Sequence, residues 1–594
     1  MGAPGGASWL VEPVGSTAQF TGADFSEEDL LYARTAEDFV RGEVLPLLDR
    51  IEAKEEGLMP ALLKRAGELG LLMVDVPEAY GGLGLAKTTS MLVSERSALC
   101  ASFSVSWGAH TGIGSLPLVY YGSDEQKRRY LPRMATGEWL AAYALTEPQA
   151  GSDALAARTR ATLDADGTTY RLTGTKQFIT NAGFADIFTV FAKIDGEKFT
   201  AFLVERTTPG VSVGPEEHKL GIRGSSTRQV ILEDAPVPVA NVLGDIGKGH
   251  KIAFNILNIG RFKLGAGSVG AAKDCLSIAL AYARDRHQHG RAIASFGMIQ
   301  RKLADMATRI YVADSMSYRT AGLMDAASAG VDLAAPGAYR TIIDQSIEEY
   351  TIEASVMKVF GTETLDFVSD EALQILGGYG FTADYPVERH WRDARINRIF
   401  EGTNEINRLI IPATLVKKIG RGGLPYLEFL QQVEREIGDP NAFPAPESAG
   451  ALAREVRAAE VAKRIIAYTA KLLIERSLDS LKDKQQHLEI LANMIIDCYA
   501  MDSVVGRSLA LQEIGSPDDR ELRRMMTNVF VASANERVLD GARRILVNEF
   551  EGEELRRHLA LQSIVPHIPI RTIAQKTRIS EALVAGGLGP VFLR

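Results

Sequence analysis

The feature that most constrains this 594-residue chain is a double change of hydrophobic period. Between about residues 26 and 145 apolar residues recur at helical spacing. Near 146 the pattern turns strand-like, and near 249 it turns helical again. The first helix, in "SEEDLLYARTAEDFVRGEVLPLLDRIEAKEE", has Ser26 as N-cap and Glu27, Glu28 and Asp29 in its first turn. "DEQKRRYLPRMATGE" reads as another helix, stopped by Pro132 and Gly137. The middle stretch holds the β-branched and aromatic runs "TTYRLTGTKQFIT", "DIFTVFAKI", "KFTAFLVER" and "RQVILED", with turn signals at Asp166-Gly167 and Asp195-Gly196. The fold class expected is mostly α with a central β domain.

The length exceeds what one core usually supports. The pattern divides the chain into a flexible, Gly/Ala/Ser-rich tail over 1–25, an N-terminal helical domain over 26–145, a middle β domain over 146–248 and a helical bundle over 249–415. A Gly- and Pro-rich linker over 416–450 follows. An additional helical domain over 451–594 completes the chain, with Ser516-Pro517-Asp518-Asp519 as a strong helix start.

Several function classes are disfavoured. The net charge of −9 comes from 66 basic and 75 acidic residues mixed along the chain, so no basic face for nucleic acid is expected. Cys100, Cys275 and Cys498 are too scattered for a disulfide framework or a thiolate zinc site. No apolar run reaches transmembrane length. The first basic residue is Arg34, so a charged targeting region is not expected, and a bacterial cytoplasm is the expected location.

"GAGSVG", 265–270, has the G-x-G-x-x-G spacing of a dinucleotide loop. That loop follows a strand and opens a helix. Here the pattern is helical on both sides, so close helix packing is the expectation.

Other stretches could carry chemistry. "YALTEPQAGSD", 143–153, lies at the junction of the first helical block and the β domain. Thr146, Gly151 and Ser152 there offer hydroxyls and backbone N–H groups suited to a flat heteroaromatic ring or a phosphate; a plain boundary turn is the alternative. "ILGGYGF", 375–381, is a second glycine-rich loop. In "RIFEGTNEINRLI", Glu401 follows Ile399-Phe400 and precedes Gly402-Thr403. A carboxylate desolvated there would become a useful base; a cap or surface glutamate is the alternative. "RDRHQHGR", 284–291, suits an anion better than a metal, and no metal site is expected.

Taken together and in order, "YALTEPQAGSD", "GTKQFITNAG", "GIRGSSTRQV", "NVLG", "ARDRHQHGR", "FGMIQRKLADM" and "LQILGGYGF…YPVERHWRDARINRIFEGTNEINR" resemble the acyl-CoA dehydrogenase family over about residues 35–415. The resemblance implies that family's N-terminal helical domain, middle β domain and C-terminal four-helix bundle. It implies FAD-dependent oxidation of the Cα–Cβ bond of an acyl-CoA to the trans-2-enoyl-CoA. Glu401 would take the α-proton and flavin N5 the β-hydride. The family's second location for the base corresponds to Gly260, which has no carboxylate. The Glu401 N–H and a ribityl hydroxyl would form the oxyanion hole.

By the same resemblance, Tyr143, Leu145, Thr146, Gly151, Ser152, Phe178, Thr180, Thr403 and Glu405 contact FAD. Arg286, Gln288, His289, Ile293 and Phe296, with Gln374 and Gly378, are expected to reach the FAD of the other subunit in a homodimer. Ser152, Arg261, Phe400, Glu401 and Gly402 are assigned to the substrate. Phe178 stands where many members have Trp, and His289 where Phe is more usual.

The continuation past residue 415, with "GFADIFTVFAKI" and "FNILNIGRF", resembles the very-long-chain branch. This implies a homodimer at the membrane surface, long acyl chains, fatty acid β-oxidation and an electron-transfer flavoprotein as partner. The small residues of "CASFSVSWGAHTGIG", 100–114, suit a deep tail pocket or tight helix packing. Lys417, Lys418 and Arg421 suit an anionic membrane or a solvated linker. Alternative functions are an acyl-CoA oxidase using oxygen and an assembly scaffold for a respiratory complex.

Overall fold

The computed structural model describes residues 4–437, 439, 447–477, 479–562 and 570–592. Its order is helical, then β, then helical. Ser26 caps the helix Glu27–Phe39 through a capping box with Asp29, and helices such as Leu58–Glu68 and Lys87–Arg96 complete the first block. Pro132 does not stop its helix. Asp124–Ala135 runs through it and ends just before Gly137, whose φ of +74° is the helix-terminating conformation.

The first strand begins earlier than the periodicity suggests. Residues Ala141–Ala144 form β1, not helix. An alanine-rich tetrapeptide has weak strand propensity, but here β1 pairs in parallel with β4 (Ile187–Ile194) and is buried throughout, so tertiary context decides. The remaining sheet strands are β2 (Arg160–Leu163), β3 (Thr169–Thr180), β5 (Lys198–Glu205), β6 (Val211–Val213), β7 (Thr227–Pro238) and β8 (Val242–Leu243). Their spatial order is β6-β7-β3-β2-β4-β5-β8. The long β3–β7 pair slips register twice, between Leu172 and Gly174 and between Lys176 and Ile179. The second slip is a bulge, and it re-aims Phe178.

The bundle is built on Gly249–Asp285, Gly297–Ser328, Thr351–Leu376 and Asn404–Gly420. "GAGSVG" lies inside the first of these. Gly265 crosses Gly361, where a Cβ on Gly361 would fall 3.0 Å from the Gly265 carbonyl. A Cβ on Gly270 would fall 2.0 Å from the Glu95 carbonyl. The motif is therefore close packing. Within this otherwise helical region "RDRHQHGR" forms a small hairpin, His287–Gln288 with Arg291–Ala292. Its turn residues His289 and Gly290 both have positive φ, which matches a two-residue hairpin turn.

Two boundary expectations need correction. Residues 4–25 are not a flexible tail: Ala7, Trp9, Leu10 and Val14 are buried. The Ala7 N–H and Trp9 Nε1–H both donate to Glu353 Oε1, at 2.6 and 2.9 Å. The Val14 N–H donates to Glu460 Oε1 at 2.6 Å, and the Trp9 ring meets Tyr499 at 4.9 Å. Small residues permit this close docking and one tryptophan anchors it. The stretch 416–450 is not all linker either: it contains the helix Tyr426–Glu436, which buries Tyr426, Phe429 and Val433. Its prolines at 440, 444 and 446 lie outside the described residues.

The final helices Ala453–Ser477, Gln485–Ala510, Pro517–Glu549 and Thr572–Gly586 share a continuous hydrophobic core with the bundle. Buried ion pairs lock the two together. Arg507 Nη1 donates to Asp314 Oδ2 at 2.7 Å, and Asp502 takes Arg319 at 2.5 Å and Lys463 at 2.6 Å. Losing one partner of such a pair strands a buried charge, at about 3–5 kcal/mol.

Docking of the N-terminal segment is testable. Trp9→Ala removes ring packing and a donor to a buried carboxylate, so it costs about 3–5 kcal/mol. Trp9→Phe loses mainly the donor and costs about 1–2 kcal/mol. Thermal unfolding at one fixed protein concentration ranks wild type, Phe and Ala in that order. Equal midpoints for all three contradict a docked segment.

Candidate active site

A cleft of about 1500 Å³ opens where the sheet meets the bundle, more than a single small-ligand pocket usually offers. Tyr143, Leu145, Thr146, Gly151, Ser152, Phe178 and Thr180 line it from the sheet side. Arg261, Phe400, Glu401, Gly402 and Thr403 line it from the helical side.

On the sheet side, one buried carboxylate organises the loop after β1. Glu147 accepts from the Arg158 N–H (2.6 Å), the Thr159 N–H and Oγ1 (3.0 and 2.5 Å) and Lys176 Nζ (2.7 Å). Burial pushes this carboxyl up, but Lys176 and the donors around it hold it below the usual glutamate range. Lys176 Nζ also donates to the Leu145 carbonyl, and the Gln177 N–H to the Thr146 carbonyl. The 145–147 loop is thus fastened to β3 next to the bulge. There Phe178 has a φ of +57° and stays 61% exposed at the cleft. Left-handed backbone in an aromatic residue is costly, and it is retained here where the ring faces a cavity.

On the helical side, Glu401 and Gly402 both have positive φ, +58° and +78°. Arg261 Nε donates to the Glu401 carbonyl at 3.0 Å, while its Nη1 donates to Asn258 Oδ1 at 2.9 Å. This clamp turns the Glu401 side chain over Gly260. A Cβ on Gly260 would fall 2.6 Å from Glu401 Oε2, so glycine there makes room for the carboxylate. Oε2 is buried and has no hydrogen-bond partner. Burial raises this carboxyl from 4.5 to about 7, against the opposing charges of Arg261 and Lys358. The Glu401 N–H donates to no backbone carbonyl among the described residues.

A narrower cavity of about 160 Å³ shares Ile113, Thr180, Ile222, Phe400 and Glu401 with the cleft. Small residues line it, including Ala98, Ala101, Gly108, Gly112, Gly267 and Ala271. Of the charged residues in its wall, Lys263 is paired with Asp75 and His390 with Asp274. From Gly260 to Ala271 it follows about 16 Å of helix.

Several assigned residues lie outside this cleft. Arg286, Gln288 and His289 are exposed on the hairpin, with Ile293 and Phe296 just after it. Gln374 and Gly378 are exposed at the glycine-rich turn, where Arg286 approaches the Tyr379 ring at 5.7 Å. None of these seven lines the cleft of its own chain. Glu405 is exposed in the first turn of Asn404–Gly420 and also does not line it. Lys417, Lys418 and Arg421 do line it, at its rim.

Sequence reasoning missed Asn258, Glu147, Lys176 and Lys358. Lys358 is buried, donates to Asn404 Oδ1 at 2.6 Å, and is pulled down to about 7 by burial despite the Glu401 charge. A lysine within an apolar helical run was its only signal.

Comparison with known proteins agrees with this arrangement. The models described as "Acyl-CoA dehydrogenase, N-terminal domain", "middle domain" and "C-terminal domain" match residues 26–138, 142–235 and 247–416. Another model described as "Acyl-CoA dehydrogenase, C-terminal domain" matches 461–562. The chain is 46% identical over 577 residues to a probable acyl-CoA dehydrogenase of Bacillus subtilis, covering 97% of each. It is 37% identical to the mitochondrial very long-chain specific acyl-CoA dehydrogenase of Bos taurus, over 79% of this chain and 72% of that one. A crystal structure of acyl-CoA dehydrogenase complexed with FAD from Bacillus anthracis superposes with a TM-score of 0.95 at 46% identity, over 98% of this chain and 99% of that one. With the helical–β–helical order and the additional C-terminal helices, these findings make the chain a member of the acyl-CoA dehydrogenase family of FAD-dependent oxidoreductases.

Proposed function

We propose that this enzyme dehydrogenates long-chain acyl-CoA to trans-2-enoyl-CoA, as in fatty acid β-oxidation. Glu401 takes the α-proton, and a homodimer passes the electrons to an electron-transfer flavoprotein. The observation that carries this reading is a buried carboxylate with a free oxygen at the junction of a wide cleft and a narrow apolar branch.

The sheet-side residues fit FAD. The exposed face of Phe178 offers a stacking surface, Thr146, Ser152 and Thr180 offer hydroxyls, and the bare backbone of Gly151 permits close approach. FAD, when bound, supplies the hydride acceptor. The rest of the task falls to the protein. An α-C–H is a very weak acid, so the base must be strong and the enolate charge stabilised. Raising Glu401 from 4.5 to about 7 strengthens it as a base while leaving it largely ionised in mildly alkaline solution. The Arg261–Asn258 clamp fixes where it points. The Glu401 N–H, which donates to no backbone carbonyl among the described residues, is the protein's donor to the thioester oxygen.

The acyl chain runs along the apolar branch, whose 16 Å or so matches roughly a dozen extended carbons. Gly267 faces this branch, with Ala98 Cβ 4.0 Å from where its own Cβ would lie. A scaffold-only role leaves the retained base and branch without a use.

Two outcomes follow. In anaerobic titrations of FAD-loaded enzyme, long-chain acyl-CoAs bleach the flavin band most effectively. Gly267→Leu lowers kcat/KM for long chains at least about tenfold and spares butyryl-CoA. No bleaching of wild type by any acyl-CoA overturns the proposed activity, and an unchanged chain-length profile in Gly267→Leu overturns the tail assignment. For pH, kcat/KM falls about tenfold per unit below pH 7 and levels off above it, because the free enzyme's base must be ionised. Lys358→Met removes an amine that favours the carboxylate while it is protonated, so the acidic part of this limb moves to higher pH. A limb near the ordinary glutamate value of 4.5 contradicts the assignment of Glu401.

A further inference from the structure

The narrow branch beside Glu401 is not uniformly apolar. Along Gly249–Asp285 it is lined by Gly260, Lys263, Leu264, Gly267, Ser268 and Ala271. This is the i, i+3, i+4, i+7 repeat of a single helical face. Ser268 therefore stands on the stripe that faces the branch, and it is only 2% exposed.

Two buried polar atoms in the branch wall have no hydrogen-bond partner among the described residues: Glu401 Oε2 and Ser268 Oγ. The first belongs to the reacting end. Other polar groups in the same wall are engaged. Lys263 is paired with Asp75 at 2.5 Å, His390 with Asp274 at 3.1 Å, and Ser94 Oγ donates to the Ser90 carbonyl at 2.8 Å. A serine inside a helix can satisfy its hydroxyl on the carbonyl four residues back, as Ser94, Ser106 and Ser315 all do in this protein. Ser268 makes no such bond to Leu264. A buried hydroxyl without a partner is costly, and this one lies against a cavity where a ligand oxygen could meet it.

Its position along the branch fixes which part of a chain it meets. Gly260 lies under the Glu401 carboxylate, and Ser268 is eight residues further on, about 12 Å along the helix. An extended chain advances about 1.2 Å per bond, so the Ser268 hydroxyl lies level with roughly the tenth carbon beyond the α-carbon. We propose that Ser268 selects acyl chains bearing a hydroxyl near carbon twelve, which makes mid-chain hydroxylated acyl-CoA a substrate class of this enzyme. The Ser268 O–H donates to the chain oxygen, so neither hydroxyl is stranded out of water. A plain chain fits the same branch but leaves Ser268 unpaired, so the two are separated by affinity rather than by exclusion. The assignment rests on the placement of the acyl chain proposed above.

The test compares full-length, FAD-loaded wild type and Ser268→Ala on tetradecanoyl-CoA and 12-hydroxytetradecanoyl-CoA. In wild type, kcat/KM for the hydroxylated ester equals or exceeds that for the plain one. In Ser268→Ala the ratio of the two falls about tenfold, through KM, while kcat stays within twofold. The ratio for 6-hydroxytetradecanoyl-CoA, whose oxygen lies short of Ser268, is the same in both proteins. An unchanged ratio for the 12-hydroxy ester overturns the proposal, as does an equal fall for both hydroxylated esters. Calorimetric titration with the corresponding trans-2-enoyl-CoAs, whose binding needs no oxidation, separates this from the proposed activity. If wild type oxidises no thioester, yet its preference for the 12-hydroxy ligand falls about tenfold in Ser268→Ala, the activity falls and the hydroxyl site stands; an unchanged preference overturns the site.

Discussion

The hydrogen bond from Arg261 to the Glu401 carbonyl is the contact on which the active site depends. It joins the helix Gly249–Asp285 to the bend that precedes Asn404–Gly420, and it holds two consecutive residues in left-handed backbone. Left to itself, a glutamate on a helical surface points to water and ionises below pH 5. Here the clamp turns its carboxylate inward over Gly260, where burial raises its proton affinity. Removing the Arg261 side chain would therefore do more than delete a charge near Glu401: it would free the segment that aims its carboxylate.

Both ends of the chain reinforce that arrangement. The N-terminal segment closes on Glu353 and Glu349 of the bundle, and the added C-terminal helices contribute Arg507 and Asp502 to buried ion pairs with Asp314 and Arg319. A long acyl chain needs a deep cavity beside the base, and a cavity weakens the packing around it. The extra helices extend the bundle's core, and under the proposed long-chain function that added burial would offset such a loss.

Much of this was legible in the sequence because it rests on local patterns. The change of period near residues 146 and 249, the Ser26 and Ser516 caps and the hairpin turn at Asp195-Gly196 are set by neighbouring residues. Glu401 could be named as a candidate from its place between Phe400 and Gly402, with a cap or surface glutamate as the alternative, and the family resemblance then assigned it as the base. What escaped depends on contacts across the fold. Ala141–Ala144 becomes a strand only because β4 lies beside it, and residues 4–25 look loose until Trp9 finds Glu353 and Tyr499. Lys176 and Lys358 resemble any other lysines until burial sets them beside Glu147 and Asn404. Lys417 and Arg421 read as linker charges because nothing local shows that the helix carrying Lys417 walls the cleft.

The role of Glu401 is tested most directly by rapid-mixing measurement of anaerobic flavin reduction in Glu401→Gln, a variant of nearly the same shape that cannot accept the proton. If the buried carboxylate is the base, the variant retains FAD and binds long-chain acyl-CoA, while the reduction rate falls by about a thousandfold or more. Reduction within about tenfold of wild type, with FAD fully bound, would place the base elsewhere and contradict the mechanism at its centre.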